Sequence, residues 1–531
     1  MRATFRQVLL LLLLVLPCAA RAGNGVTAQR QLQHYVVEPG GAYRLTVEEM
    51  RATGGTYAID YNAVREHVLA IEAWMQKPDG RRVALPVPLA QVRDRPHAIP
   101  DMRLKTVVLP AVAAGDMLVV RYQIRGDRAL VAGHFEDLVV APPHGRAVQV
   151  VYDMPPGVPL YADAAGFAPL PAASPPGRRR YAWRHEGGND ARAEAGAVSV
   201  IDYGRRLAVS TFADYPSFAA ALRRGLAGKA QPTPPVGALA RQLTAGLPDA
   251  HARAVALAAW VRGNVRYVDY YSGADSVVPR PAADVLAARY GDCKDHAVLL
   301  QALLAAAGID STAALVNNGA AYKLPDVPTL GVFNHMITYV PALGLYLDTA
   351  AAGGGDDRLA PALLGKPVLL VQTGTFAMTP LLQPHKTVAA ATVDVGRDAR
   401  FDGGTPVALA TTPAAGGPVG ASLAAMTREP ARRLDYVCPA VDAQDATAFR
   451  LPAGSRVLAL PAPVTLMDGG IAYRADYVRQ DGPGGNAILV TRRLTFRHGL
   501  PTCTPADYQA MRPALERIAR DLRSRIVVAG R

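Results

Sequence analysis

The sequence predicts a multidomain α+β protein: a strand-rich unit at each end and a mixed helical and stranded unit between them. Three observations carry that expectation. The chain has 531 residues, more than one core can serve, so two to four domains are expected. Both flanks alternate apolar and polar residues at period two. The centre instead holds a helix pattern apolar on nearly every side, which belongs inside a domain. With 50% hydrophobic residues, the chain has enough apolar surface to bury sizeable cores.

Residues 1–22 read as a secretory signal. Arg2 and Arg6 open it, Val8 to Leu16 is apolar, and Ala20-Arg21-Ala22 offers small residues for cleavage. The apolar run is too short to span a membrane comfortably. Cys18 follows Pro17, a poor setting for lipid attachment, and goes with the discarded peptide. No later apolar run reaches spanning length, so the remainder is expected to be exported, periplasmic or extracellular, with no integral membrane segment. Formal charge is +13, and losing Arg2, Arg6 and Arg21 from that total leaves +10. The arginines are scattered, with no basic stripe interleaved with aromatics, so nucleic acid is not an expected partner.

Residues 23–205 are expected to form an N-terminal β-sandwich domain. Ala42 to Glu48 and Met117 to Ile124 alternate, Lys77-Pro78-Asp79-Gly80 is a turn, and Val148 to Met154 is a strand before a Pro-rich break. His67, His97, His134, His144 and His185 show no ligand spacing. A binding or spacer role is expected here.

Residues 206–384 are expected to form the core that carries chemistry. Asp214 to Arg224 and Ala252 to Val265 have helical spacing, with Lys229 to Pro235 as a linker between them. Next comes Arg289-Tyr290-Gly291-Asp292-Cys293-Lys294-Asp295-His296, running into Ala297 to Ala307, where Gln301 is the only polar residue; Gly308 ends it. Asp292 can cap this helix and put Cys293 in its first turn, where the helix dipole favours thiolate over thiol. Lys294 is expected to point to solvent. Val332 to Val340 and Leu345 to Asp348 read as a hairpin closed between Pro341 and Gly344. The numbers of His335 and Asp348 sum to an odd value, as the closing register requires, so both can face one side. Thiolate, imidazole and carboxylate are the parts of a nucleophile, a general base and the group that orients the base. Asn334 is expected to shape the turn into the strand. The loop from Asn317 to Gly331 is a candidate substrate lid.

Two further features need weighing. Gly353-Gly354-Gly355-Asp356-Asp357 lacks the Gly-Lys-Ser/Thr of a phosphate loop and the spaced ligands of a calcium loop, and reads as a turn. Residues 385–531 are expected to form a second β-sandwich, with strands at Thr387 to Val395, Arg456 to Leu460, Ile471 to Val478 and Asn486 to Phe496, closed by a terminal helix from Pro505 to Ile526. Cys438 and Cys503 lie in this one unit and can pair in an oxidising compartment, leaving Cys293 free. The cysteines look too dispersed for zinc, so neither metal nor cofactor is expected.

The stretch Pro279 to Asp295, then Phe333-Asn334-His335, then Tyr346-Leu347-Asp348, resembles the transglutaminase-like superfamily of papain-like cysteine enzymes. More narrowly, it resembles secreted bacterial proteins with a β-rich domain of unknown function ahead of such a core. The match spans about 180 residues, near the usual domain size. It implies a papain-like α+β core with Cys293, His335 and Asp348 as catalytic residues, and the Cys293 N–H as one oxyanion donor. Tyr267 or Tyr290 is a candidate second donor. Asp348-Thr349-Ala350 departs from the Asp-Pro-Thr of many relatives. The implied activity is attack on peptide or glutamine-type amide bonds through a Cys thioester, resolved by water or an amine, on a protein or peptide of the cell envelope. The alternative is an inactive transglutaminase-like binding module or envelope scaffold.

Overall fold

The computed structural model describes residues 29–87, 91–94, 102–141, 146–188, 194–268, 277–350, 357–398, 405–412, 416–482 and 485–530. The signal at 1–22, His97, His144 and the Gly353-Gly354-Gly355-Asp356 stretch lie outside them.

The first unit is built on one long sheet. Strands Gln29–Val37 and Arg146–Met154 pair in parallel at its centre, and Tyr43–Arg51, Met117–Gly126 and Glu66–Gln76 extend it antiparallel. Two smaller three-stranded sheets exist beside this one. One contributes Tyr57, Ile59, Val107 and Leu109 to a core with Leu118, Val120 and Met75. The other contributes Val139, Leu207 and Val209 to a separate core with Phe135, Tyr35, Val150 and Tyr152. The single sandwich expected from the alternation is thus two packing layers sharing one sheet. Period two identifies strands but not how many sheets they form. Strand Arg206–Ser210 pairs with Glu136–Val140, so the chain stays with this unit for one strand past residue 205.

The central unit then turns helical. Asp214 caps Tyr215–Leu226 and Asp249 caps Ala250–Asn264, each by accepting a backbone N–H. The linker expected at Lys229 to Pro235 in fact feeds a helix, Pro234–Thr244, with proline in its first turn. Proline lacks only an N–H that has no helical partner there, so it starts this helix rather than preventing it. The central helix Cys293–Ala306 buries every residue from Cys293 to Leu300. Leu299, Leu300, Leu303 and Leu304 are fully buried against Val236, Ala240, Leu257 and Val261 of the neighbouring helices. Cutting one such leucine to alanine costs about 2–5 kcal/mol. Behind the helix lies a five-stranded antiparallel sheet in the order Leu345–Leu347, His335–Val340, Thr312–Val316, Pro367–Leu370, Thr375–Met378. The strand expected from Val332 begins at His335, because Leu330–Val332 forms a 3₁₀ turn first.

The third unit pairs a five-stranded sheet with a three-stranded one, and helices Pro418–Met426 and Pro505–Leu522 pack on the larger sheet. The terminal helix stops at Leu522, short of Ile526. Arg525–Ala529 is a strand paired on both sides, with Val407–Ala410 and Arg456–Ala459. Its Ile526-Val527-Val528 run is β-branched, which favours the pleated surface over a helix. Asp521 fixes this helix end to the sheet by accepting from Tyr473, Tyr477 and Arg492, all buried. Cys438 and Cys503 are joined by a disulfide, with Cα atoms 5.1 Å apart. The pairing expected of these two cysteines is thus present, and His498 joins them, the three ligand-type atoms lying within 4.8 Å. Both sulfurs are spent in the bond. No helix among the described residues is long and apolar enough to cross a membrane.

Candidate active site

The motif around Cys293 is first a folding device. Asp292 caps the central helix by accepting from the N–H groups of Lys294 and Asp295. Arg280 grips Asp295 with its backbone N–H and two guanidinium nitrogens, at 2.8 to 2.9 Å, and lies over the Tyr290 ring. Gly291 is required: a Cβ there would come within 2.6 Å of the Asp295 Cβ. Lys294, expected in solvent, is buried and ion-paired with Asp292. Burial pushes the Asp292 carboxyl above the usual range, against the pull of Lys294. A buried carboxylate needs such a partner, and the adjoining lysine is the nearest cation. Arg280, Gly291, Asp292 and Asp295 together aim the helix start, and with it Cys293.

The three sequence-selected residues meet. His335 Nε2 lies 3.1 Å from Asp348 Oδ2. The Cys293 sulfur also acts on this ring, favouring its charged form. Strand register explains the meeting: Thr338 pairs with Leu347, which puts His335 and the end of the next strand on one edge. Asp348 is itself held. Its Oδ1 accepts from the Ala350 N–H at 3.0 Å, and its carbonyl accepts from Arg262 at 2.8 Å. Exposure is 5% for Cys293, 8% for His335 and 4% for Asp348, so the set is shielded from bulk water. Burial alone would discharge His335. The hydrogen bond to Asp348 and the neighbouring Cys293 sulfur outweigh it and push the imidazole up to about 10. The arrangement therefore favours a charged imidazole beside the sulfur.

The other expectations separate. Tyr267 pairs along Gly291 and reaches toward the site, its ring edge-on to His296. Tyr290 serves instead as the platform for Arg280. Asn334 shapes the approach to His335: its Oδ1 accepts the Asn318 N–H at 2.6 Å and its own N–H binds Val316 O. The loop expected as a lid is fastened down. Glu136 accepts from Leu330, Asp163 from Asp326, and Asp202 from Tyr322 and Lys323. The Lys366 ammonium donates to Ala321 O at 2.8 Å, and Tyr215 donates to Pro325 O. Glycine and proline content signalled an irregular loop, but its anchors come from distant parts of the chain. Arg262, Arg280 and His296 were missed as site residues. For His296 a signal existed: a histidine three residues after Cys293 lies on the same helix face.

Comparison with known proteins fits this geometry. Residues 237–321 match the transglutaminase-like superfamily, and residues 41–187 match DUF3857, a domain of unknown function with a solved structure. The chain carries a transglutaminase-like core. A solved structure of a candidate protease from Parabacteroides distasonis ATCC 8503 is similar over 94% of this chain and 98% of its own, with TM-score 0.71 and 16% identity. The three-unit architecture around the transglutaminase-like core is thus shared with a solved fold. A candidate cysteine protease from Cytophaga hutchinsonii aligns over 61% of this chain and 78% of its own at 12% identity, with TM-score 0.19. An M1 zinc metallopeptidase from Deinococcus radiodurans aligns over 34% and 41% at 13% identity, with TM-score 0.21. Neither of these two alignments bears on the fold. No curated protein matches the chain.

Proposed function

We propose that this chain is an exported cysteine enzyme that opens peptide or glutamine-type amide bonds by acyl transfer. The observation that carries the reading is the free Cys293 at a helix start, beside His335, itself bound to Asp348. The transglutaminase-like core and the candidate protease of shared fold support a cysteine-enzyme chemistry.

In the proposed reaction the Cys293 thiolate attacks the amide carbonyl carbon, whose oxygen takes the negative charge near the Cys293 N–H. His335 gives its proton to the nitrogen as the C–N bond breaks, releasing ammonia or an amine and leaving a thioester. Water or a second amine then loses a proton to His335 and attacks the thioester, restoring the thiolate. Asp348 holds the imidazole tautomer throughout. The substrate is a protein or peptide of the envelope, and neither metal nor cofactor enters the steps.

Exposure of the purified mature chain to a peptide and glutamine-amide panel, read by mass spectrometry with and without an added amine, tests the reading. The wild type should give new acids or new amides, and Cys293→Ala should give neither. The burial of Cys293 favours one competing reading, a binding module that keeps the fold without turnover. In that case Cys293 would take up no mild alkylating agent and no substrate would change mass.

A further inference from the structure

One imidazole beside the site has no part in the steps above. His296 follows Cys293 by three residues on the central helix and is 1% exposed. Its Nδ1 lies 3.0 Å from the carbonyl oxygen of Thr349. A carbonyl can only accept, so Nδ1 carries the proton and Nε2 holds a lone pair. That Nε2 is buried with no hydrogen-bond partner among the described residues. The titratable groups facing it are Asp295 on its own helix, Asp348, His335 on the neighbouring strand, and the edge-on ring of Tyr267, 5.8 Å between centroids. Burial holds the His296 pKa below the ordinary histidine value, with His335 adding to that effect, against the Thr349 hydrogen bond and the two carboxylates. Neutral imidazole is also the form that one carbonyl partner satisfies.

We infer that His296 is a positioning residue, whose Nδ1–H pins the backbone at Thr349 so that the Asp348 carboxylate faces His335. The inference rests on the reading of Cys293, His335 and Asp348 as the reacting set. Its geometry is a short chain of contacts. Asp348 lies just past the strand Leu345–Leu347. Around it, the Ala350 N–H binds Oδ1, Arg262 binds its carbonyl, and His296 binds the next carbonyl. His296 is the one of these that sits on the same helix as Cys293. It therefore couples the position of the sulfur to the position of the carboxylate. Without it the Thr349 carbonyl loses its buried partner and the turn after Asp348 is free to shift. Displacements of about 1 Å in such a set change rates by up to about 10²-fold.

Side-chain geometry supplies the test. An asparagine amide nitrogen can occupy the place of Nδ1, whereas a glutamine amide reaches the place of Nε2, and leucine supplies no donor. Iodoacetate, an anion, reacts fastest with a thiolate beside an imidazolium and slows when the imidazolium loses its proton. Its rate is measured across pH for the wild type, His296→Asn, His296→Gln and His296→Leu, with melting temperatures alongside. The wild type should slow as pH passes about 10, the value to which His335 is raised. His296→Asn should keep that limb and stay within about twofold of the neutral rate, while Gln and Leu should move the limb to lower pH and slow the neutral rate about tenfold. A purely structural role would lower melting temperatures and leave the limb in place, and that result overturns the inference while the Cys293–His335 reading stands. A wild type that alkylates like an isolated thiol fails that reading, and the inference with it. Nitrogen-15 spectra of wild-type His296 give a second measurement that needs no variant to fold. An Nδ1–H tautomer at neutral pH is expected, and an Nε2–H or doubly protonated ring would overturn the assignment.

Discussion

Two sulfurs in this molecule each have a histidine against them, and their surroundings differ. At Cys293 the sulfur is free, the imidazole is buried, and a carboxylate holds the far side of the ring. At Cys438 the sulfur is bonded to Cys503, and His498 Nδ1 rests 3.3 Å away while also accepting the Leu500 N–H. No carboxylate hydrogen-bonds to His498 among the described residues, and the ring is only partly buried. Sulfur–imidazole proximity is therefore not a chemical signature by itself. What separates the two is the third group and the burial, which together decide whether the ring can carry charge beside the sulfur.

That contrast can be broken by substitution. The largest effect is expected from Cys293→Ala, which should abolish amide turnover and alkylation at this site while leaving the melting temperature close to wild type. Turnover that survives the change would place the chemistry elsewhere.

His335→Ala should come next, lowering turnover by on the order of 10²–10⁴-fold, the usual worth of a positioned acid–base group. Asp348→Asn should cost less, because it mis-sets the tautomer without removing the base. The sign of the pH effect follows from the raised His335 value. Its charged form contributes stability that is fully present below the unfolded value of about 6.5. That contribution is lost as pH rises through about 10. Thermal melts of the wild type should thus lose more stability between neutral pH and pH about 10 than melts of His335→Ala do. Identical pH slopes would show that the ring carries no such charge.

The disulfide should behave in the opposite sense. Replacing both Cys438 and Cys503 with alanine opens a loop of 65 residues. That should cost roughly 4 kcal/mol of stability in the chain-entropy model, and leave turnover intact where the protein stays folded. Denaturant midpoints with parallel activity assays check both halves, and a lost activity in a folded double variant would tie the two sulfur sites together. The smallest effect is expected from His498→Ala: stability within about 0.5 kcal/mol of wild type, as for other surface changes, and no change in rate. A rate change there would blur the contrast at its root.

Much of the centre was legible in the sequence because it is local. A capping Asp292, an uninterrupted apolar helix and a Gly308 stop lie within one short stretch, and the hairpin parity of His335 and Asp348 needs only a short loop. The linker read at Lys229 to Pro235 runs into the helix Pro234–Thr244, because proline breaks helices everywhere except their first turn. The helix expected to reach Ile526 takes in the first two residues of the last strand, Arg525–Ala529, because an apolar run of that length has no decisive period. Lys294 was placed in solvent because lysine almost always is, and only a buried Asp292 beside it changes that balance.

By itself the sequence determined which residue types would stand together: a thiol at a capped helix start, then an imidazole and a carboxylate on one hairpin. These follow from periodicity, capping and register, all of which act between residues close in the chain. Tertiary structure alone decided the charge and the fixation of that set. Arg262 comes from the helix Ala250–Asn264, 86 residues earlier, to hold the Asp348 carbonyl, and Glu136, Asp163 and Asp202 come from the preceding part of the chain to fasten the loop that leads to His335. The physical reason is that desolvation and hydrogen bonding, which set whether His335 carries charge, depend on every group packed around it, whatever its distance along the chain.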